Sequence, residues 1–340
     1  MESIKNQLEL YLARKFPDRS DLKVKDFQEI ISGWESEMYS CELSYESLHG
    51  QHQEKLVLRI YPGDDAYEKS ANEYFNMLKL HEAGYPVPHV KLLERDASPF
   101  ERPFVLMEYI DGKNLWRVLD KAPVKKGREL LSQFCELFVR LHNLDWRSFS
   151  NSQDTIHQGG GDVSIDSWLS TAGEMIQRYH RHELSPYLSW MREHRHTVKR
   201  QRTAVVHYDF HPSNILLRID GSMVVVDWTG LQVADARFDL AWTLLLAHMY
   251  AGDRVSDQIL NEYEGHSGDR VQGMGIFIVA AILRRLFTVI VSIEQGAEQM
   301  GMRPGAEQLM QEQSEALGIA YEILVGQTGI RSDELERMIR

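Results

Sequence analysis

Three polar side chains within residues 203–228, TAVVHYDFHPSNILLRIDGSMVVVDW, have the types and spacing that metal-assisted phosphoryl transfer demands. Asp209 is followed five residues later by Asn214, and thirteen beyond that by Asp227. Such chemistry needs a carboxylate to accept or orient a hydroxyl proton. It also needs two oxygen ligands to hold Mg2+ against a triphosphate. VVVDW reads as a buried strand ending in a carboxylate, so one strand–loop–strand unit supplies all three groups. The same residues allow a rival. On an extended segment His207, Asp209 and His211 face one side, as the ligands of a zinc-type hydrolase do. Pro212 and the lack of a fourth ligand motif weigh against it, and His207 reads as a structural tie between loop and backbone.

The elements that must position these groups fall into two textures. Residues 27–32 and 37–43 read as a strand pair turning at Gly33, and KLVLRIY (55–61) as a third strand ended by Pro62-Gly63. Residues 65–84 read as a helix with apolar Tyr74, Leu78 and Leu80 and a stop at Gly84. Strands follow at 87–94 and 103–110. After Gly112 the chain turns helical. Residues 115–144 carry the stripe Leu130, Leu131, Phe134, Leu137, Phe138 and Leu141. Helices are expected at 164–182 and 185–199, and everything beyond Asp239 reads as helical. The triple glycine at 159–161 lacks a Lys-Ser/Thr partner and reads as a flexible linker rather than a phosphate loop.

With 340 residues, two domains or one large bilobal one fit. The excess of 50 acidic over 38 basic side chains argues against nucleic-acid binding through a basic surface. Cys41 and Cys135 form no metal spacing and read as free thiols in a reducing compartment. The N-terminus has no apolar signal core. Residues 275–293 are the longest apolar run, but Arg284 and Arg285 interrupt it, so a buried helix is expected rather than a membrane span. Both arginines could face a functional cleft, but snorkelling or ion pairing is the preferred reading.

HYDFHPSNILL, then VVDW, then ADARFDLAW resembles the aminoglycoside phosphotransferase and choline kinase-like family. Its pattern is His-x-Asp-x-His-x-x-Asn, then Asp-Trp, then Asp-Leu-Ala. The likeness extends to 32–43 (phosphate-covering hairpin), 57–62 (cation-bearing strand), 72–88 (following helix) and 104–112 (hinge). It implies an α+β, bilobal protein-kinase-like fold. A small β-rich N-lobe (1–111) would bind nucleotide, and a larger, mostly helical C-lobe (112–340) would hold the catalytic and acceptor groups. Asp209 would be the catalytic base, and Asn214 and Asp227 the Mg2+ ligands. Arg59 would contact the phosphates and pair with Glu73. The backbone of Met107, Glu108 and Tyr109 would bond the adenine edge.

The implied activity is ATP- and Mg2+-dependent O-phosphorylation of a small-molecule hydroxyl, with GTP the other donor candidate. The implied protein is cytoplasmic, a monomer or homodimer, with no nucleic-acid or membrane partner. Arg59 stands where a Lys is common, and the hairpin at Gly33-Trp34-Glu35 is poor in glycine. That poverty supports the alternative of a catalytically silent nucleotide-binding protein. For the acceptor, Asp162, Asp166, Glu174, Glu262 and Glu294 lie in the relevant segments and would suit a cationic amino sugar or amino alcohol. Trp168, Tyr179, Tyr187 and Trp190 could stack on a sugar or fill the core, and core is the preferred reading. Asp239 reads as a helix N-cap.

Overall fold

Alternation of apolar and polar residues along 37–60 builds a long hairpin, and the rest of the N-terminal sheet grows from it. The computed structural model describes residues 1–30, 36–149, 163–199, 201–300, 302, 306–311 and 313–339. The Gly33 hairpin turn, the triple glycine and Asp162 lie outside these. In chain order the elements begin with α1 (Glu2–Lys15), β1 (Ser20–Glu29), β2 (Glu37–Ser47), β3 (Gly50–Ile60) and α2 (Ala66–Glu82). They continue with β4 (Val90–Glu94), β5 (Phe104–Glu108), β6 (Gly112–Asn114), α3 (Leu115–Lys121), α4 (Val124–His142), α5 (Val163–Arg178) and α6 (Ser185–His194). Next come β7 (Thr203–Val206), β8 (Ile215–Arg218), β9 (Met223–Val225), β10 (Gln232–Asp235), α7 (Ala236–Ala251) and α8 (Asp253–Ser267). The chain ends with α9 (Gly275–Gln295), α10 (Ala306–Gln311), α11 (Ser314–Thr328) and α12 (Asp333–Ile339).

Packing divides the chain into two units. The first comprises Met1–Lys113, Leu216–Thr229 and Ala297–Ala306; the second comprises Asn114–Ile215, Gly230–Gly296 and Glu307–Arg340. This differs from a single cut between 111 and 112. The segment ending in Asp227 belongs with the first unit because β8 lies between β6 and β9 in one small sheet, and Val225 N–H bonds the Pro86 carbonyl.

In the first unit the sheet order is β1-β2-β3-β5-β4, with antiparallel neighbours, so β3 is central. Leu8 and Leu12 of α1 close its core over Leu43, Leu58, Phe104 and Leu106. The buried stripe of α2 is Ala66, Ser70, Glu73, Met77 and Leu80. Of the expected Tyr74, Leu78 and Leu80, Leu80 is buried while Tyr74 and Leu78 are half-buried, so the stripe is rotated, and it carries an acid on its buried side. Gly84 is left-handed (φ 72°), as a helix stop requires.

In the second unit the helix expected over 115–144 is two helices. Pro123 has no N–H and holds Ala122 extended (ψ 140°), which ends α3 and starts α4. β10, which was not expected, pairs antiparallel with β7. Helix α7 packs against α8, α9 and α11, and α4 against α8. Helix α9 is long and apolar enough to cross a membrane, with mean hydropathy 2.3, yet 78% of that apolar window is buried inside the structure.

Candidate active site

In the second unit, β7 delivers the chain to a loop held from behind by Asp239. This carboxylate is fully buried on the first turn of α7. Its Oδ2 accepts His207 N–H at 2.7 Å and its Oδ1 accepts Tyr208 N–H at 2.9 Å. His142 Nε2 lies 3.4 Å from Oδ2, and its Nδ1 meets the Tyr263 hydroxyl at 2.7 Å. The N-cap of α7 is Asp235, which accepts Arg237 N–H, so Asp239 is free to serve as this anchor. Tyr208 takes a left-handed backbone (φ 69°), a strained state that the anchored amides hold. A Cβ on Gly230 would come within 3.1 Å of the His207 carbonyl, so a larger residue there would push the loop by a few tenths of an ångström.

Asp209 is the product of that geometry. Trp242 Nε1 donates to its Oδ1 at 2.6 Å, and Asn214 Nδ2 donates to its Oδ2 at 2.9 Å. Burial pushes the carboxyl up. His211, Arg284 and His207 outweigh burial and hold it well below the usual carboxylate range. The side chain stays 34% exposed, so an acceptor hydroxyl can reach it. His211 Nδ1 accepts Ser213 N–H, which leaves its Nε2–H pointing at Asp209 Oδ2, 3.4 Å away. His207 Nδ1 accepts Asp209 N–H. Both imidazoles are thus tied into the loop. Among the described residues no group of three or more His, Cys, Asp or Glu side chains is arranged to hold a metal.

In the first unit, β3 presents Arg59 to α2. Arg59 Nη1 donates to Glu73 Oε1 at 2.8 Å and to Asp227 Oδ1 at 2.9 Å, while its Nε donates to Ser36 Oγ at 2.7 Å. Glu73 also accepts the Tyr61 hydroxyl, and Trp228 N–H at 3.2 Å. Burial raises the Glu73 carboxyl against the pull of Arg59. Fully buried Trp228 donates Nε1 to the Val225 carbonyl and packs edge-on against Tyr85. Asp227 sits beside it in a left-handed conformation (φ 68°) with its carboxylate one-third exposed (33%), whereas Arg59 and Glu73 are buried.

The expected Arg59–Glu73 pair is therefore formed, and Asp227 joins it as a second carboxylate partner. Glu37, adjacent in sequence to the hairpin turn, pairs with Arg102. At the expected hinge, β5 pairs Met107 with Val57. Glu108 N–H bonds the His89 carbonyl and Tyr109 N–H bonds the Lys55 carbonyl. Two of the donors assigned to the adenine edge are thus engaged by the protein itself. The Glu108 side chain accepts from His89 N–H and Arg218.

Two residues beside Asp209 were not assigned to the site from sequence. Trp242 sits on the apolar helix α7. Arg284 corrects an expectation: it lies across the faces of Tyr208 (4.6 Å) and Trp242 (4.2 Å) and donates to the Tyr208 carbonyl, where an ion pair or snorkelling had been expected. Of the acids nominated for an acceptor, Asp166 pairs with Arg195, Glu294 with Arg181, Glu262 accepts from Ser132 and Glu174 from Ser170. Tyr179 and Tyr187 are core, as expected.

Acyl-CoA dehydrogenase family member 10 of Mus musculus is 27% identical over 217 residues, which covers 57% of this chain. The chain spans only 18% of the length of that curated relative. A thermostable aminoglycoside phosphotransferase APH(4)-Ia variant, solved as a ternary complex with AMP-PNP and hygromycin B, superposes with TM-score 0.62 at 16% identity, covering 95% of this chain and 99% of that one. Ethanolamine kinase of Plasmodium vivax superposes with TM-score 0.54 at 11% identity, covering 92% and 83%. At these identities the two structures show a shared fold, with an antiparallel sheet in the N-terminal region and a helical C-terminal region. The model of the phosphotransferase enzyme family matches residues 26–274, well over half of the chain, and the chain belongs to that family.

Proposed function

We propose that the protein moves the terminal phosphoryl group of ATP to a hydroxyl of a small molecule, with GTP the second donor to test. The alcohol oxygen bonds to phosphorus, the bond to the leaving nucleoside diphosphate breaks, and the hydroxyl proton is released. The observation that carries this reading is Asp209: an ionised, partly exposed carboxylate, fixed on both oxygens by Trp242 and Asn214, on a loop whose amides are anchored by Asp239. Its depressed basicity makes it an orienting group that takes the proton late, which suits a loose phosphoryl-transfer transition state.

In this reading Asn214 and Asp227 hold Mg2+. The donor set fits. Asn214 spends its amide nitrogen on the Asp209 carboxylate and carbonyl, so its oxygen is the ligand atom. Asp227 spends Oδ1 on Arg59 and keeps Oδ2. Mg2+ held by these two oxygens would complete its octahedral shell with water and phosphate oxygens and would neutralise charge on the phosphates. Glu73 orients Arg59 toward the phosphate-binding role, and the backbone of residues 107–109 contributes through groups other than the engaged N–H of Glu108 and Tyr109. Both thiols are buried, and burial lifts Cys41 to about 12, so neither supplies chemistry. We place the protein in the cytoplasm, as a monomer or homodimer.

The test is nucleotide consumption with Mg2+ against aminoglycosides, macrolides, amino alcohols, sugars and hydroxy acids. Asp209→Asn should lower turnover at least ~100-fold while AMP-PNP with Mg2+ still raises the melting temperature. Full turnover in that variant would refute the assignment.

A further inference from the structure

We infer that Arg284 is a positioning residue for phosphoryl transfer: from α9 it holds the Tyr208 carbonyl and the Trp242 indole in the arrangement that aims Asp209. This role rests on the phosphotransferase reading and adds to it a residue 76 positions from Tyr208 in sequence. Tyr208 is the strained residue of the loop, left-handed at φ 69°. Its N–H is taken by Asp239 Oδ1 at 2.9 Å, and its C=O by Arg284 Nη1. Asp239 on α7 therefore fixes one side of the strained residue, and Arg284 on α9 fixes the other. The Tyr208 carbonyl belongs to the peptide group that carries the Asp209 N–H, so its direction sets how Asp209 leaves the loop. Thr243 on α7 holds the Phe210 carbonyl in the same way.

The second hold is on a side chain. The Arg284 guanidinium carbon lies 4.6 Å from the centre of the Tyr208 ring and 4.2 Å from that of Trp242. Trp242 Nε1 in turn donates to Asp209 Oδ1 at 2.6 Å. The indole cannot turn away without giving up the cation over its face, so its N–H stays on the carboxylate. The cluster is closed. The space among Trp168, Tyr208, Phe238, Trp242 and Arg284 is about 10 Å3, room for no more than one water, which leaves neither ring free to turn over. Arg284 is only partly buried, and its helix is otherwise apolar there. A methionine would fill the same length without the cost of desolvating a cation, so the guanidinium is present for its donors and its charge. That charge acts on the base. Burial raises the Asp209 carboxyl, and His211, Arg284 and His207 together pull it down.

The test compares three variants of the intact protein, each verified as folded by circular dichroism. Arg284→Met keeps length and apolar packing, Arg284→Lys keeps the charge as a point donor, and Arg284→Ala leaves room for a small guanidinium. Turnover is read as ATP consumption with Mg2+, both with the alcohol that the acceptor screen returns and with water alone. Nucleotide binding is read as stabilisation by AMP-PNP with Mg2+, and loop order as amide hydrogen exchange at Tyr208 and Asp209. Arg284→Met should lower kcat at least ~10-fold, against the ~100-fold that about 1 Å of misplacement costs, with KM for ATP and AMP-PNP stabilisation unchanged. Exchange at the two amides should quicken at least ~10-fold. Arg284→Lys should fall between parent and Arg284→Met, and added methylguanidinium should restore part of the kcat of Arg284→Ala. Parental kcat in Arg284→Met, or parental exchange at both amides, overturns the inference. So does a loss carried wholly by KM for ATP, which would move Arg284 to nucleotide binding. A loss that neither lysine nor methylguanidinium relieves also overturns it, because Arg284 would then be a packing residue. In these cases AMP-PNP stabilisation leaves the phosphotransferase reading standing. If the unaltered protein neither consumes ATP nor is stabilised by AMP-PNP, that reading falls, and amide exchange alone decides whether Arg284 holds the loop.

Discussion

Asp239→Asn changes one oxygen to an NH2 group and almost nothing in shape, which makes it a sharp probe of the catalytic loop. Both carboxylate oxygens face backbone donors, His207 N–H at 2.7 Å and Tyr208 N–H at 2.9 Å, in a fully buried setting. Whichever way the new amide turns, an N–H points at an N–H. One charge-assisted hydrogen bond is lost, of about 1.5–3 kcal/mol, and a buried donor is left unsatisfied. The expected loss is about 2–4 kcal/mol, below the 3–5 typical of breaking a buried ion pair because one oxygen survives. Domains have only about 5–15 kcal/mol in hand, so the loop can relieve the clash by moving rather than by unfolding. Such a shift carries Asp209 with it, and about 1 Å of misplacement costs about 100-fold in rate. The assays are urea unfolding, amide hydrogen exchange at His207 and Tyr208, and turnover of nucleotide. Faster exchange at those two amides, a lower unfolding midpoint and reduced turnover are expected together. A variant within about 0.5 kcal/mol of the parent, with unchanged exchange and turnover, would show that Asp239 does not anchor the loop.

Three further outcomes are expected. Glu73→Ala removes the acceptor shared by Arg59, the Tyr61 hydroxyl and Trp228 N–H; Arg59 keeps Asp227 and Ser36, so the cost should be about 2–4 kcal/mol, below that of an uncompensated buried charge, with Glu73→Gln costing less, and two unfolding curves overlying the parent's would contradict this. Burial pushes Glu94 up, but Tyr11, Lys15 and the N–H groups of Ala97 and Asp96 win and hold it at about 2, below its ordinary 4.5. A depressed carboxyl contributes stability that is full above pH 4.5 and fades as pH falls toward 2. Glu94→Gln should therefore flatten the acid limb of a melting-temperature profile across that window, and an unchanged limb would argue against the assignment. Gly230→Ala places a Cβ 3.1 Å from the His207 carbonyl and 3.3 Å from Tyr208 Cβ, and should cost about 1–3 kcal/mol along with turnover. A fully active, equally stable alanine variant would mean the loop gives way freely.

Asp209 and Asn214 were legible as a pair because five residues of one loop bring them together, whatever surrounds them. The strands and most helices were legible for the same local reason, from period and punctuation. The break at Pro123 was equally local, yet the stripe through α4 masked it. Glu73 illustrates the opposite case. An acid on the buried stripe of α2 betrays a partner, but its identity comes from strand β3.

Local pattern alone determined the kinds of element, the catalytic loop and the chemistry its side chains can perform, since these depend on neighbours within one turn or one strand. Contacts across long sequence separations were decided only by the tertiary structure. Arg59 meets Asp227 from 168 residues away. Trp242, and Arg284, for which snorkelling or ion pairing was the preferred reading, are carried by α7 and α9 to the Asp209 loop. The sheet consumed the N–H groups of Glu108 and Tyr109, and the helices neutralised the acids set aside for a cationic acceptor. Periodicity tells which face of a helix is buried; which charged and aromatic groups meet there is set by how the helices pack.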